Sequence, residues 1–153
     1  YEENGLGRAI DREEALAIIK KGVEAGLVIQ PGNAKKPANI CLCCGCCCQV
    51  LKNIKALPEP ASMVRTNYYA TVDEENCTAC AMCQEKCPME AISVADTASV
   101  DSIRCIGCGI CATACDFDAV RLKQKDKKQM YDPPETFVRT YMRIAMERGK
   151  FRL

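Results

Sequence analysis

A chain of 153 residues with 14 cysteines, no histidine and a net charge of +1 suits one ordinary domain or two small ones. Hydrophobic residues make up 48%, but cysteine is counted among them, and aromatics are only 5% with no Trp. The conventional core is therefore thin, and covalent or metal staples are expected. The absence of histidine excludes Ser–His and Cys–His nucleophilic pairs, His-ligated zinc or haem, and a Rieske centre.

Residues 1–37 read as a helical arm. The chain opens on Tyr1 rather than Met, so the arm is also compatible with being the end of a truncated domain. Residues 11–25 have helical character: Asp11 can cap the first turn with Glu14 three positions on, and Ala15, Ile18, Ile19 and Val23 recur at helical spacing. Gly26 ends the helix and "LVIQ" continues as a short strand. A helix followed by a strand could close a winged-helix unit, but a packing arm is the simpler reading. "PGNAKKPAN" (31–39) supplies turn residues and links the arm to a sulfur-rich stretch.

Residues 38–67 form a cysteine-rich segment and a helix. "ICLCCGCCCQVL" (40–51) puts six cysteines into eight positions. Disulfides between such near neighbours make strained rings, and a core gains nothing from sulfur there that Ala would not give without oxidation risk. A four-thiolate zinc site is one reading, and an iron–sulfur cluster is the favoured one. Cys41, Cys44 and Cys47 stand at C-x2-C-x2-C spacing, with Gly45 free to turn; Cys43, Cys46 and Cys48 are additional candidate ligands. One cube takes four ligands, so at least two of these thiols are left for another role. "VLKNIKAL" then aligns Val50, Leu51, Ile54 and Leu57 on a helical face expected to cover the nearby centre, and "PEP" stops it.

The strongest signal is a repeat. "DEENCTACAMCQEKCPMEAISV" (73–94) aligns with "DSIRCIGCGICATACDFDAVRL" (101–122) at a constant offset of 28, and both copies read C-x2-C-x2-C-x3-C. Thiolates at this spacing can wrap the corner of an iron–sulfur cube. The fourth cysteine is expected to start a short helix and to serve the other cube. The ligand sets are then crossed: Cys77, Cys80, Cys83 and Cys115 for one cluster, Cys105, Cys108, Cys111 and Cys87 for the other. Paired zinc ribbons would not need the third cysteine of each triplet. Ala79, Ala81, Gly107 and Gly109 keep the ligand loops small. Ile92, Ile106, Ile110, Val120 and Met82 would supply a dry lining.

Over residues 68–124 the sequence resembles the bacterial two-cluster [4Fe–4S] ferredoxins. The resemblance implies an α+β module with two short two-stranded sheets, one around "YATV" and "VRL" and one around "AISV" and "ASV", and two short helices under the clusters. Pro88 follows Cys87 as in that family. Asp116 follows Cys115 where a second proline would stand, which loosens that turn. The segment 41–48 also resembles a "CxCCGCCC" stretch found ahead of a two-cluster module in larger iron–sulfur proteins of anaerobes.

Residues 125–153 form a tail. After a charged linker at 123–128, Phe137, Tyr141, Ile144 and Ala145 fall at helical spacing from Glu135 onward. This amphipathic helix is expected to fold back on the module or to dock a partner, with a membrane surface as the outside option. Charge is unevenly spread. Residues 73–118 carry nine acids against Lys86 and Arg104, whereas residues 119–153 carry ten bases and four acids. An acidic centre of this kind does not point to nucleic acid.

The fold class expected is α+β. The function expected is low-potential electron transfer, on the order of −400 mV, through two [4Fe–4S] clusters and a third iron–sulfur centre in the Cys41–Cys48 loop. Redox partner proteins, or the other subunits of a larger oxidoreductase, are the expected partners. No dinucleotide fingerprint, P-loop or His base is present, so a catalyst on its own is not expected. The alternative is a catalytic or activating protein with the cysteine-rich loop as active cluster, and a redox-sensing regulator comes after that. No spanning run is visible, and dense cysteine without a secretory signal suits a reducing cytoplasm.

Overall fold

A computed structural model describes residues 1–150; the last three residues of the tail lie outside the described residues. The molecule is α+β, and the described residues form six short helices and three two-stranded antiparallel sheets. In the arm, α1 spans Arg12–Glu24, and the Asp11 carboxylate accepts a hydrogen bond from the Glu14 amide (2.8 Å). Its close contact is made through Gly22, where an added Cβ would lie 2.8 Å from the Leu42 side chain. Ile18, on the expected apolar face, is exposed.

The cysteine-rich segment does not begin as a loop. β1 (Val28–Pro31) pairs with β2 (Ile40–Cys43), placing Val28 opposite Cys43 and Gln30 opposite Cys41. A hairpin therefore crosses the expected join at 37/38. After a turn, α2 (Gln49–Lys55) buries Leu51 almost completely while Val50 faces outward. The single turn α3 (Pro60–Met63) follows.

Both sheets of the repeat lie where the resemblance implies. β3 (Tyr68–Val72) pairs with β6 (Val120–Gln124), and β4 (Ile92–Val94) pairs with β5 (Ala98–Val100). The helices differ from expectation. α4 (Met82–Lys86) and α5 (Ile110–Thr113) contain the third cysteine of each motif, Cys83 and Cys111. The fourth, Cys87 or Cys115, lies just past the helix end rather than starting it. β6 also draws Lys123 and Gln124 out of the expected linker and pairs them with Tyr69 and Tyr68.

The repeat extends to the backbone. Ala79 and Gly107, Ala81 and Gly109, and Glu90 and Asp118 form three pairs separated by 28 residues, and all six are left-handed (φ 52–83°). A left-handed non-glycine residue costs about 1–2 kcal/mol, so tertiary contacts must hold the four that are not glycine. At Gly107 the angle is not the main obstacle, because Ala79 adopts a similar one. A Cβ on Gly107 would lie 2.1 Å from the Tyr68 carbonyl oxygen.

Two apolar clusters follow from this arrangement. One gathers Ala70, Cys83, Ile92, Ala98, Cys111 and Val120 inside the module. The other gathers Val28, Leu51, Met89, Ala91, Ile106 and Ile110, so arm, α2 and module share a core. Arg104 reinforces the join by donating to the Met89 and Lys55 carbonyls (2.9 and 3.1 Å). In the tail, α6 (Phe137–Glu147) starts at Thr136, whose hydroxyl accepts from the Arg139 amide. It folds back on the hairpin loop through Thr140, whose hydroxyl donates to the Asn33 carbonyl (2.8 Å), and through an Arg65–Glu147 ion pair. Thr140 is buried, while Tyr141 and Ile144, expected on the apolar face, remain exposed.

Leu51→Ala should cost about 2–5 kcal/mol, the range for emptying a buried leucine site, read as a lower denaturant midpoint under anaerobic conditions. Gly107→Ala should be worse tolerated than Ala79→Gly, because only the first drives an atom into backbone; comparison of their thermal midpoints checks this.

Candidate metal centres

In each copy two left-handed residues, Ala79 and Ala81 or Gly107 and Gly109, turn the chain so that three cysteines face a common space, and the following short helix hands the fourth to the other copy. One cavity is lined by Cys77, Cys80, Cys83 and Cys115. The other is lined by Cys87, Cys105, Cys108 and Cys111. Their walls are almost wholly apolar. Met82, Val94, Phe117 and Val120 line the first; Met89, Ala91, Ile92 and Ile106 line the second. Sequence reasoning does not single out Met89, Ala91, Val94 or Phe117. Met89 and Phe117 each stand two residues past a fourth cysteine, the one signal that could have found them. Ile110 is buried in the adjoining core.

The sulfurs are polarised by backbone and burial. The Ala91 amide donates to Cys87 Sγ and the Ala98 amide to Cys77 Sγ, both at 3.3 Å. Burial pushes the Cys111 thiol up to about 12 and raises Cys108 and Cys83 as well. A thiol so placed stays protonated unless a cation takes the proton's place, because burial disfavours the bare thiolate.

Spacing tests which cation fits. Four thiolates around one zinc, with Zn–S near 2.3 Å, stand about 3.8 Å apart. Among the described residues, the eight module cysteines provide no set of three sulfurs lying within 4.8 Å of one another. Sulfurs spaced more widely than around one ion suit a polynuclear group better than a single zinc.

The loop behaves differently. Cys44, Cys46 and Cys47 do bring their sulfurs within 4.8 Å of one another, with Cys44 and Cys47 at 3.0 Å. Sulfur–sulfur hydrogen bonding from Cys46 and Cys47 holds the Cys44 thiol down at about 6, and the bond to Cys44 lifts Cys47 to about 11. Cys41 is outside this group, in β2, where its sulfur accepts from the Asn39 side chain (3.3 Å). Cys43 and Cys48 turn inward and pack against the core of Leu51 and Met89. Burial raises Cys43 to about 11; the amide of Leu51 at the start of α2 lowers Cys48.

Among the described residues no helix is long and apolar enough to cross a membrane. No curated protein matches the chain. Residues 76–120 match the family model of the 4Fe-4S dicluster domain. That stretch is an iron–sulfur, ferredoxin-like module, its cofactor class is the [4Fe–4S] cluster, and its chemistry is electron transfer with redox partners.

Proposed function

We propose that this protein relays single electrons at low potential through two [4Fe–4S] clusters, one held by Cys77, Cys80, Cys83 and Cys115 and the other by Cys105, Cys108, Cys111 and Cys87. The observation that carries the proposal is the pair of near-equal cavities, each lined by three cysteines of one repeat and one of the other. A bound [4Fe–4S] cluster supplies a reversible one-electron couple. The chain's part is to supply eight thiolates, to keep water out with Met89, Ile92, Ile106 and Val120, and to tune the sulfurs with the Ala91 and Ala98 amides.

The arm and tail enlarge the protein well beyond the module, and we read it as one subunit of a larger oxidoreductase, of the kind anaerobes use. The segments 1–37, 38–67, 68–124 and 125–153 then serve as arm, cysteine-rich segment, conducting module and docking tail. The acidic surface of 73–118 suits a basic partner. Cysteine this dense, at metal-ligand spacing, suits a reducing cytoplasm. The loop Cys41–Cys48 is assigned a third iron–sulfur centre, supported by the C-x2-C-x2-C spacing of Cys41, Cys44 and Cys47, with Cys43, Cys46 and Cys48 as further candidate ligands. A catalytic or activating role is the second reading, favoured by the exposure of Cys46 and Cys47.

Anaerobically purified protein should be brown and should take up one electron per cluster in a redox titration followed by EPR. Colourless protein, or zinc in place of iron, would sink the proposal. Cys83→Ser and Cys111→Ser should each remove about four irons per chain. Because ligation must displace protons from thiols that burial has raised, the clusters should bleach faster as pH falls; bleaching rates measured from about pH 8 to about pH 5 check the sign. An EPR signal altered by a small added ligand would favour the second reading.

A further inference from the structure

Resting on the reading that the loop holds a metal, but replacing the iron–sulfur cluster there by a mononuclear centre, we propose that this centre is a single thiophilic ion bound by Cys44, Cys46 and Cys47, with its fourth position open to an exogenous ligand. Sulfur spacing is the first argument. The three sulfurs lie within 4.8 Å of one another, close to the roughly 3.8 Å of thiolates sharing one tetrahedral ion. A cube puts each thiolate on a different iron and needs wider separations, which is how the eight module cysteines of the same chain are arranged.

The second argument is the sorting of six thiols by the fold. Cys43 and Cys48 are packed against the apolar core, and Cys48 also accepts from the Gln30 side chain (3.9 Å). Cys41 is held in β2 with Asn39 as partner. The other three lie in one turn, closed by the Cys48 amide donating to the Cys44 carbonyl (3.2 Å). Gly45 in that turn lies against Pro88, where an added Cβ would come within 3.2 Å of the ring. The module itself therefore shapes the turn that gathers the sulfurs.

Third, no fourth Cys, Asp or Glu joins the set among the described residues. Cys46 instead borders an open groove of about 470 Å³, together with Gly45, Lys55, Cys87, Pro88 and Glu90. Three thiolates around a divalent ion leave a net charge of −1 and one vacant tetrahedral position, which water or a small thiol can fill and exchange. Binding consumes no oxidant: the ion enters, three S–metal bonds form, and the protons still on the thiols leave to solvent.

The test is metal and sulfide analysis of the full chain, purified anaerobically, alongside six single Cys→Ser variants of the loop. The expected result is about one metal atom per chain in excess of acid-labile sulfide, since a cube adds equal numbers of both. Cys44→Ser, Cys46→Ser and Cys47→Ser should lose that atom with sulfide unchanged, and Cys41→Ser, Cys43→Ser and Cys48→Ser should retain it. Equal gains of iron and sulfide would overturn the single-ion proposal while leaving a third iron–sulfur centre standing. No metal beyond the module's would overturn both. Loss of the atom from Cys41→Ser but not from Cys46→Ser would overturn the ligand set. With cobalt(II) loaded in the loop, a small added thiol should shift the tetrahedral visible bands; bands that stay fixed would overturn the open position.

Discussion

The structure depends on an exchange. The short helices α4 and α5 each carry the chain out of their own half, so that Cys87 completes the wall of one cavity and Cys115 the wall of the other. Neither half can enclose its cavity alone. A module with so few large side chains has little hydrophobic area to oppose chain entropy. Cysteine makes up part of its core, and Cys83 and Cys111 are among its buried residues. Metal binding at such positions contributes directly to folding.

The same exchange decides where the amino-terminal third of the chain can sit. Met89, just past Cys87, is buried against Leu51 and Val28, and Arg104 ties its carbonyl to the end of α2. The Tyr68 carbonyl closes over Gly107 in the wall of that cavity. The cysteine-rich turn therefore packs against Pro88, in the wall of the cavity of Cys87, Cys105, Cys108 and Cys111. Gly45 touches Pro88, the residue after Cys87. The two cavities are near copies in size and lining, yet only one has the loop as a neighbour.

Thiol chemistry separates the two regions. In the module, burial keeps the thiols of Cys83, Cys108 and Cys111 neutral until metal replaces the proton. In the turn, close sulfurs share protons, so that one thiol is acidified and its neighbour is not. A buried, apolar and amide-lined site suits electron transfer without ligand exchange, whereas a trio beside a groove, with Cys46 and Cys47 exposed, suits exchange.

Much of this was legible in the residues. The 28-residue offset and the spacing of the eight cysteines rest on local pattern, which short-range geometry determines; the four β-segments of the module were placed through the resemblance to two-cluster ferredoxins. Asp11 at the head of α1 and Leu51 in α2 were also readable from local rules. Other features depended on partners distant in sequence. Cys41 and Cys43 belong to a strand only because β1 lies beside them, and that pairing sends Cys43 inward. Thr140, rather than Tyr141, is buried because Asn33 offers it a carbonyl. Glu90 adopts a left-handed angle that no propensity would assign to it. Which thiols of the crowded loop converge was also beyond reach of the sequence: overlapping C-x2-C registers are equivalent on paper, and only packing against Pro88 and Leu51 breaks the tie.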